Sequence, residues 1–461
     1  MSDPPRSIAA AARLIRDGTL SPVDLTDWCL DRIARLDGAL HSFVTVLAAP
    51  ARDQAVTAEA EIKAGGWRGP LHGIPIGLKD VFETKGVRTT GQSRSLANYI
   101  PTTDSTVAQR LAAAGAILLG KQTTHEFALG GPSFELPWPP ARNPWDTTRF
   151  TGSSSSGTGA AVAAGLSLGG IGSDTGGSVR LPAALCGVSG LRPSTGRIGR
   201  AGLLPLAASL DTAGPIARTV EDCALLLQAI AGPDPDDPTA ADIAVPDYQA
   251  ALGAGVAGLR IGVLRSFHET DLPVQPAVLA AVDAAAAWFG DHGAAISEIR
   301  LSPLQDYNAA GYLIMLAEGF AHHAPGLARH PGMYGASFRD RISLGMCFTA
   351  EDVRQARQKQ AALRVEMLRA FEDVDLLLTA TAPGEAPPIE TVTTWGIFDS
   401  PSLTMPFSLT GCPALSLCGG FGPTGLPLSL QLAAAPFQEA KLMNAGHAFQ
   451  QGTEWHLKLP G

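Results

Sequence analysis

Metal-binding signatures are missing from this chain. It has no CxxC pair, no HExxH and no EF-hand loop, so no metal is indicated and no cofactor is expected. The six cysteines (Cys29, Cys186, Cys223, Cys347, Cys412 and Cys418) lack paired spacing and read as reduced, mostly buried small hydrophobes. Basic charge is in deficit. Lys and Arg number 34 against 43 Asp and Glu, a net charge of −9, which argues against nucleic acid and an anionic membrane surface as partners. No uninterrupted run of ~20 apolar residues and no apolar signal core near Met1 occur, so a soluble, cytoplasmic protein is expected. Nucleotide binding also lacks support: there is no G-x-x-x-x-G-K-[ST], and no G-x-G-x-x-G follows a strand. The G-x-S-x-G nucleophile elbow and an S-x-x-K pair are absent as well.

What is present suits a large enzyme. Hydrophobic residues make up 45% and charged residues 17% of 461, enough for an extensive core. Helical periodicity covers Ile8–Arg16, Pro22–Leu36, Ala51–Ala64, Val107–Ala114, Thr219–Ile230, Pro276–Phe289, Glu351–Phe371 and Phe437–Phe449. Short apolar runs at Phe43–Leu47, Ala116–Leu119, Leu259–Leu264, Ile296–Leu301, Asp375–Ala380, Ala414–Leu417 and Leu428–Leu432 read as strands. The alternation predicts an α/β protein with one large sheet covered on both faces. The acidic segment 232–239 reads as an exposed loop, a boundary or a lid hinge.

One stretch stands apart. From Asn143 to Pro182 four consecutive serines, Ser153–Ser156, sit between Gly152 and Gly157, and a second Gly/Ser turn spans Gly172–Ser178. A flexible linker would not enclose the packable segment Ala160–Leu168. The alternative is a backbone that must approach another group closely, with hydroxyls and amides aimed at one point. Ser178 follows Thr175-Gly176-Gly177, which suits a nucleophile and an oxyanion hole in the same turn. For a base, His125 reads as structural, whereas Lys79 and Lys121 each end an apolar strand. Burial would lower the pKa of either, while a strand-end lysine ordinarily snorkels to water. Composition does not choose between them.

The segments GIPIGLKD at 73–80, NPWDTTRFTGSSSSGTGAAVAAG at 143–165 and GSDTGGSVRLPAALCGVSGLRPS at 172–194 resemble the amidase signature family, hydrolases with a Ser–cis-Ser–Lys triad. The resemblance continues through DTAGPIARTVEDCALLL, LTGCPALS and GLPLSLQL. It implies the amidase signature fold, a large, mostly parallel, mixed and twisted β-sheet with helices on both faces. A single domain over 1–461 follows, with a helical N-terminal segment to about 65 and a core at about 66–231. A substrate-side region at about 232–400, with lid candidates at 232–240 and 320–350, precedes a C-terminal sheet and helix from about 401. Position by position, it implies Ser178 as the acylated nucleophile, Ser154 as the cis-serine relay and Lys79 as general base. The amides of Thr175, Gly176, Gly177 and Ser178 become the oxyanion hole. Ser155, Asp174 and Arg180 support them. Ser408 stands where the family commonly has Asn.

Such a base must be kept neutral; at an ordinary pKa of about 10.4, the deficit at pH 7 is roughly 4 kcal/mol. Substrate contacts are expected from Phe127, Ala128, Leu129, Gly130, Gly131 and Trp138. With Phe134, Phe320, Tyr334, Met346, Phe348, Trp395 and Phe398 they suit an apolar or aryl group. The expected reaction is cleavage of aryl or alkyl amides, anilides or carbamates through an acyl-enzyme. MYGASFRDRISLG stands where amidotransferase subunits carry a Tyr-Asp-Gly motif, favouring a stand-alone monomer or homodimer acting on a small molecule. The rivals are a glutaminase subunit of a tRNA-dependent amidotransferase and a non-catalytic scaffold with an anion-binding loop.

Overall fold

Helix starts follow capping residues in the sequence. Ser21 accepts from the amides of Val23 and Asp24, Ser105 from Ala108, and Thr219 from Asp222, each satisfying donors that a first helical turn leaves unpaired. The helices they start are Pro22–Leu40, Thr106–Ala113 and Val220–Ile230. The computed structural model describes residues 4–461.

Among the described residues eleven strands form one sheet: β1 (Phe43–Val46), β2 (Pro75–Lys79), β3 (Ile117–Gln122), β4 (Gly169–Asp174), β5 (Ser189–Arg192), β6 (Thr212–Ala217), β7 (Arg260–Val263), β8 (Ala295–Glu298), β9 (Leu376–Ala380), β10 (Ala414–Phe421) and β11 (Pro427–Ala434). Their order is β1-β3-β2-β4-β6-β5-β10-β11-β9-β7-β8. Two parallel wings, β3-β2-β4 and β9-β7-β8, flank an antiparallel centre. The sheet is mixed, as expected, but its parallel pairings are the minority, because β4, β6, β5, β10, β11 and β9 pair antiparallel in succession. Strands β2, β4, β5, β6, β9 and β11 are buried at every residue, so packing covers both faces.

Three differences from the sequence reading have physical causes. β4 occupies Gly169–Asp174, where glycine suggests a turn. Its glycines serve close packing: a Cβ on Gly170 would lie 2.8 Å from Gln122 Oε1. Leu304–Arg329 is one helix of 26 residues despite Pro325, so the segment from 320 is not a loop throughout. The 232–240 segment is pinned: Asp234 accepts from Thr106 Oγ1 at 2.6 Å and Asp237 from the Arg200 amide at 2.9 Å. Among the described residues, no helix is long and apolar enough to cross a membrane.

Candidate active site

β2 delivers Lys79 to the sheet's C-terminal end, and the ammonium is fully buried. Its Nζ donates to Ser154 Oγ at 2.7 Å and to Ser173 Oγ at 2.8 Å. Burial lowers its pKa to about 7, against the opposing charges of Asp174 and Asp211. The next side chain, Asp80, points to the other face, as strand alternation requires. There it pairs with Lys121 at 3.3 Å and accepts from the Thr90 amide at 2.9 Å. Lys121 does not snorkel to water. It is fully buried and also donates to Phe82 O at 2.6 Å.

The serine loop ends in the helix Ser156–Ala163, and the Ser153–Ser154 peptide is cis. The Ser155 amide donates to Ser178 O at 3.1 Å, which seats the two serine turns together. Ser155 Oγ donates to Ser173 O at 3.2 Å, so it braces the neighbour of the lysine instead of the relay itself. Ser178 is half-buried in the pocket floor. Among the described residues, no hydrogen bond joins its hydroxyl to Ser154.

The second turn is built on Asp174. Arg180 forms a fork to it, Nε to Oδ2 and Nη2 to Oδ1, both at 3.0 Å, and Arg192 Nη1 adds a contact to Oδ1 at 3.1 Å. Burial alone would raise this carboxyl, but the two guanidiniums outweigh it and hold it below its ordinary range. Asp174 also accepts the amides of Gly177 at 2.9 Å and Val179 at 3.2 Å. The Gly177 amide is therefore engaged by Asp174 and is not available to an oxyanion, which corrects that part of the expectation. Thr404 Oγ1 donates to Gly176 O at 2.6 Å, and Ser408 Oγ accepts from Arg180 at 2.7 Å.

A cavity of about 460 Å³ opens over Gly176, Gly177 and Ser178. Ala128, Leu129, Gly130 and Gly131 line it; Phe127 and Trp138 do not. Phe127, at φ 45°, turns into the core, its ring centroid 4.3 Å from that of His323 and 5.3 Å from that of Phe338. Trp138 lies on the outer loop, where its carbonyl accepts from Gln92. None of the other aromatics expected at the substrate is in the wall, which Leu129, Phe150, Leu181, Leu206, Leu272 and Met315 supply instead. His125 is structural: its Nδ1 accepts the Gly131 amide at 2.8 Å, and burial pushes its pKa down to about 3.

Sequence reasoning missed Ser173, Arg192, Asp211 and Arg341. Ser173 and Arg192 lay inside the main motif block at 172–194, Asp211 opens DTAGPIARTVEDCALLL, and Arg341 lies within MYGASFRDRISLG. Arg341 is buried behind the pocket wall: its Nη2 donates to Thr393 O at 3.0 Å, and a Cβ on Gly131 would meet Nη1 and Nη2 at 2.7 Å. Among the described residues, no carboxylate pairs with it. Burial lowers its pKa to about 10.

A buried lysine joined to a serine beside a glycine turn, on a mixed eleven-stranded sheet, defines an amide hydrolase of the amidase signature fold. The family model described as Amidase matches residues 24–443, and the chain belongs to that family. It is 41% identical over 479 residues to a glutamyl-tRNA(Gln) amidotransferase subunit from Roseiflexus sp. (strain RS-1), covering 98% of each chain. A solved chain from a vestigial protein complex, described as revealing the origins of an s-triazine catabolic enzyme, is 34% identical with a TM-score of 0.91, covering 97% of this chain and 98% of that one. Native peptide amidase from Stenotrophomonas maltophilia is 29% identical with a TM-score of 0.85, covering 97% of each. These relatives correct the expectation of a monomer or homodimer. One is a named subunit of an amidotransferase and another belongs to a complex. A single chain's motifs report its chemistry and carry no mark of which surface a partner covers.

Proposed function

We propose that this chain hydrolyses the terminal amide of a small substrate that also carries a negative charge, glutamine being the type, as the amidase subunit of a larger assembly. The observation that carries this reading is Arg341, a buried guanidinium with no carboxylate partner behind Gly131 and Thr393 at the pocket wall. A buried charge is costly unless paired; Nε and Nη2 are held by the carbonyls of Thr394 and Thr393, which leaves Nη1, facing Gly131, to meet a substrate carboxylate. The identity to amidotransferase subunits over nearly the whole chain supports the same reading.

Chemically, neutral Lys79 takes a proton from Ser154 as Ser154 takes one from Ser178. Ser178 Oγ bonds to the amide carbon, and the developing oxyanion is stabilised by turn amides left free by Asp174. Collapse breaks the C–N bond, the relayed proton leaves with the nitrogen as ammonia, and water then cleaves the acyl-serine by the same route. A second reading, uncharged aryl or alkyl amides, anilides or carbamates, is favoured by the apolar wall of Leu129, Phe150, Leu181, Leu206, Leu272 and Met315.

Turnover of glutamine, benzamide, an anilide and a carbamate by wild type and Arg341→Leu decides between them. The first reading expects glutamine to be preferred and its KM to rise about tenfold or more in the variant, the scale of a lost charged hydrogen bond, with benzamide unaffected. Faster turnover of the neutral amides, with Arg341→Leu indifferent to every substrate, would establish the second.

A further inference from the structure

Asp211 is buried at the base of β6 and carries three hydrogen bonds that meet from two sides of the pocket. Thr175 Oγ1 donates to its Oδ1 at 2.5 Å. The amides of Leu206 and Ala207 donate to its Oδ2 at 2.9 and 3.0 Å. Thr175 opens the glycine turn that ends in Ser178, and Leu206 is part of the pocket wall. One carboxylate therefore ties the turn to the wall.

Its charge matters too. Asp211 forms no salt bridge among the described residues, and with Asp174 it is one of two carboxylates whose field reaches Lys79. Burial raises its own pKa to about 6, opposed first by the Thr175 hydroxyl and the two amides, and then by Arg200. The charged groups around it are Lys79 on β2, Arg192 on β5 and Arg200 on the preceding loop. Asp236 and Asp237 face it across a small cavity of about 210 Å³, which also gives the carboxyl a path to water.

We infer that Asp211 is a positioning residue for the reaction: it fixes the head of the nucleophile turn against the substrate wall, and it keeps a buried negative charge in the field of Lys79. This rests on the lysine–serine reading above. The two roles separate in two variants. Asp211→Asn removes the charge and sets an amide NH2 or a single oxygen against three donors. Thr175→Val removes the turn contact and leaves the charge.

The test is the pH profile of kcat and KM on one amide substrate. Asp211→Asn lowers kcat about 10- to 100-fold, the scale of a small misplacement at a reacting centre, with KM little changed. It also moves the acid limb to lower pH, because Lys79 loses a stabilising anion. Thr175→Val lowers kcat and leaves the limb in place, and Thr175→Ser restores kcat. An Asp211→Asn enzyme with wild-type kcat and an unmoved limb overturns the inference, as does a limb moved to higher pH. If Asp211→Asn does not fold, the Thr175 pair decides: equal kcat in Val and Ser variants overturns the turn-anchoring role. Lys79→Ala separates the two levels. Full activity there removes the underlying reading, whereas an inactive Lys79→Ala beside an unaltered Asp211→Asn removes this inference alone.

Discussion

Lys79 Nζ and Ser154 Oγ lie 2.7 Å apart, and neither side chain is exposed to solvent. No carboxylate stands within ion-pair distance of that amine among the described residues; its partners are the hydroxyls of Ser154 and Ser173 and, more weakly, the Ser173 carbonyl. Hydroxyls solvate an ammonium less well than a carboxylate would, which leaves burial free to favour the neutral amine.

Lys79→Met follows directly. The variant replaces a buried amine with a chain of similar length that needs no hydrogen bond, so the fold should survive. Loss of a general base lowers kcat/KM about 10²- to 10⁴-fold. Amide turnover by this variant, with its circular dichroism and melting curve matched to wild type, is the measurement; undiminished turnover removes Lys79 from the chemistry.

The pH dependence has a definite sign. Lys79 acts as a base only when neutral, and burial sets its pKa at about 7, so kcat/KM rises with pH through about 7 and levels above it. Asp211, at about 6, titrates nearby, so the limb reports macroscopic values of a coupled set. A rate that falls through this range as pH rises would contradict the assignment.

Asp174→Ala is a stability prediction. It leaves two buried guanidiniums, Arg180 and Arg192, without their anion and frees the Gly177 and Val179 amides. Breaking a buried pair from one side costs about 3–5 kcal/mol. Urea denaturation should show a clearly lowered midpoint together with loss of activity.

Gly177→Ala tests the turn itself. Gly177 sits at φ +134°, and a Cβ there would lie 2.1 Å from Thr404 Oγ1, which holds the Gly176 carbonyl. Both backbone conformation and contact oppose the methyl. Activity falls about 10²-fold, the scale of a small misplacement at a reacting centre. Thr404→Ser, which keeps the hydroxyl, has little effect.

Lys121→Met separates the two lysines. It strands Asp80 without its cation in a buried site, so stability drops by about 3–5 kcal/mol, measured by denaturant melts. The pH limb of the folded fraction stays where it is. A limb that moves with Lys121 would assign the base to the wrong strand.

Local features were legible wherever chemistry or periodicity is local. Helical periodicity marked the helices from Pro22, Val107 and Thr219, and the caps Ser21, Ser105 and Thr219 start them because a side-chain oxygen meets an amide two or three residues away. The serine and glycine turns marked the site because few other sequences let a backbone pack so closely. Glycine misled at β4, where it reads as a turn but serves sheet packing. The aromatic residues misled at the pocket, since an apolar side chain suits a core as well as a substrate wall. Phe127 went to the core, and Leu206 and Met315 went to the wall.

By itself, then, the sequence determined which reactive groups the chain owns: a lysine ending an apolar strand, and hydroxyls framed by glycine. Composition left Lys79 and Lys121 equal, the resemblance pointed to Lys79, and only the tertiary structure supplies the physical difference between them. Lys79 and Lys121 lie at the C-terminal ends of adjacent parallel strands and are equally buried, but among the described residues folding gives Lys121 the carboxylate of Asp80 and gives Lys79 hydroxyls and a carbonyl. The physical reason is that a buried amine's basicity depends on the charges facing it across the fold, and those come from distant parts of the chain that no local pattern records.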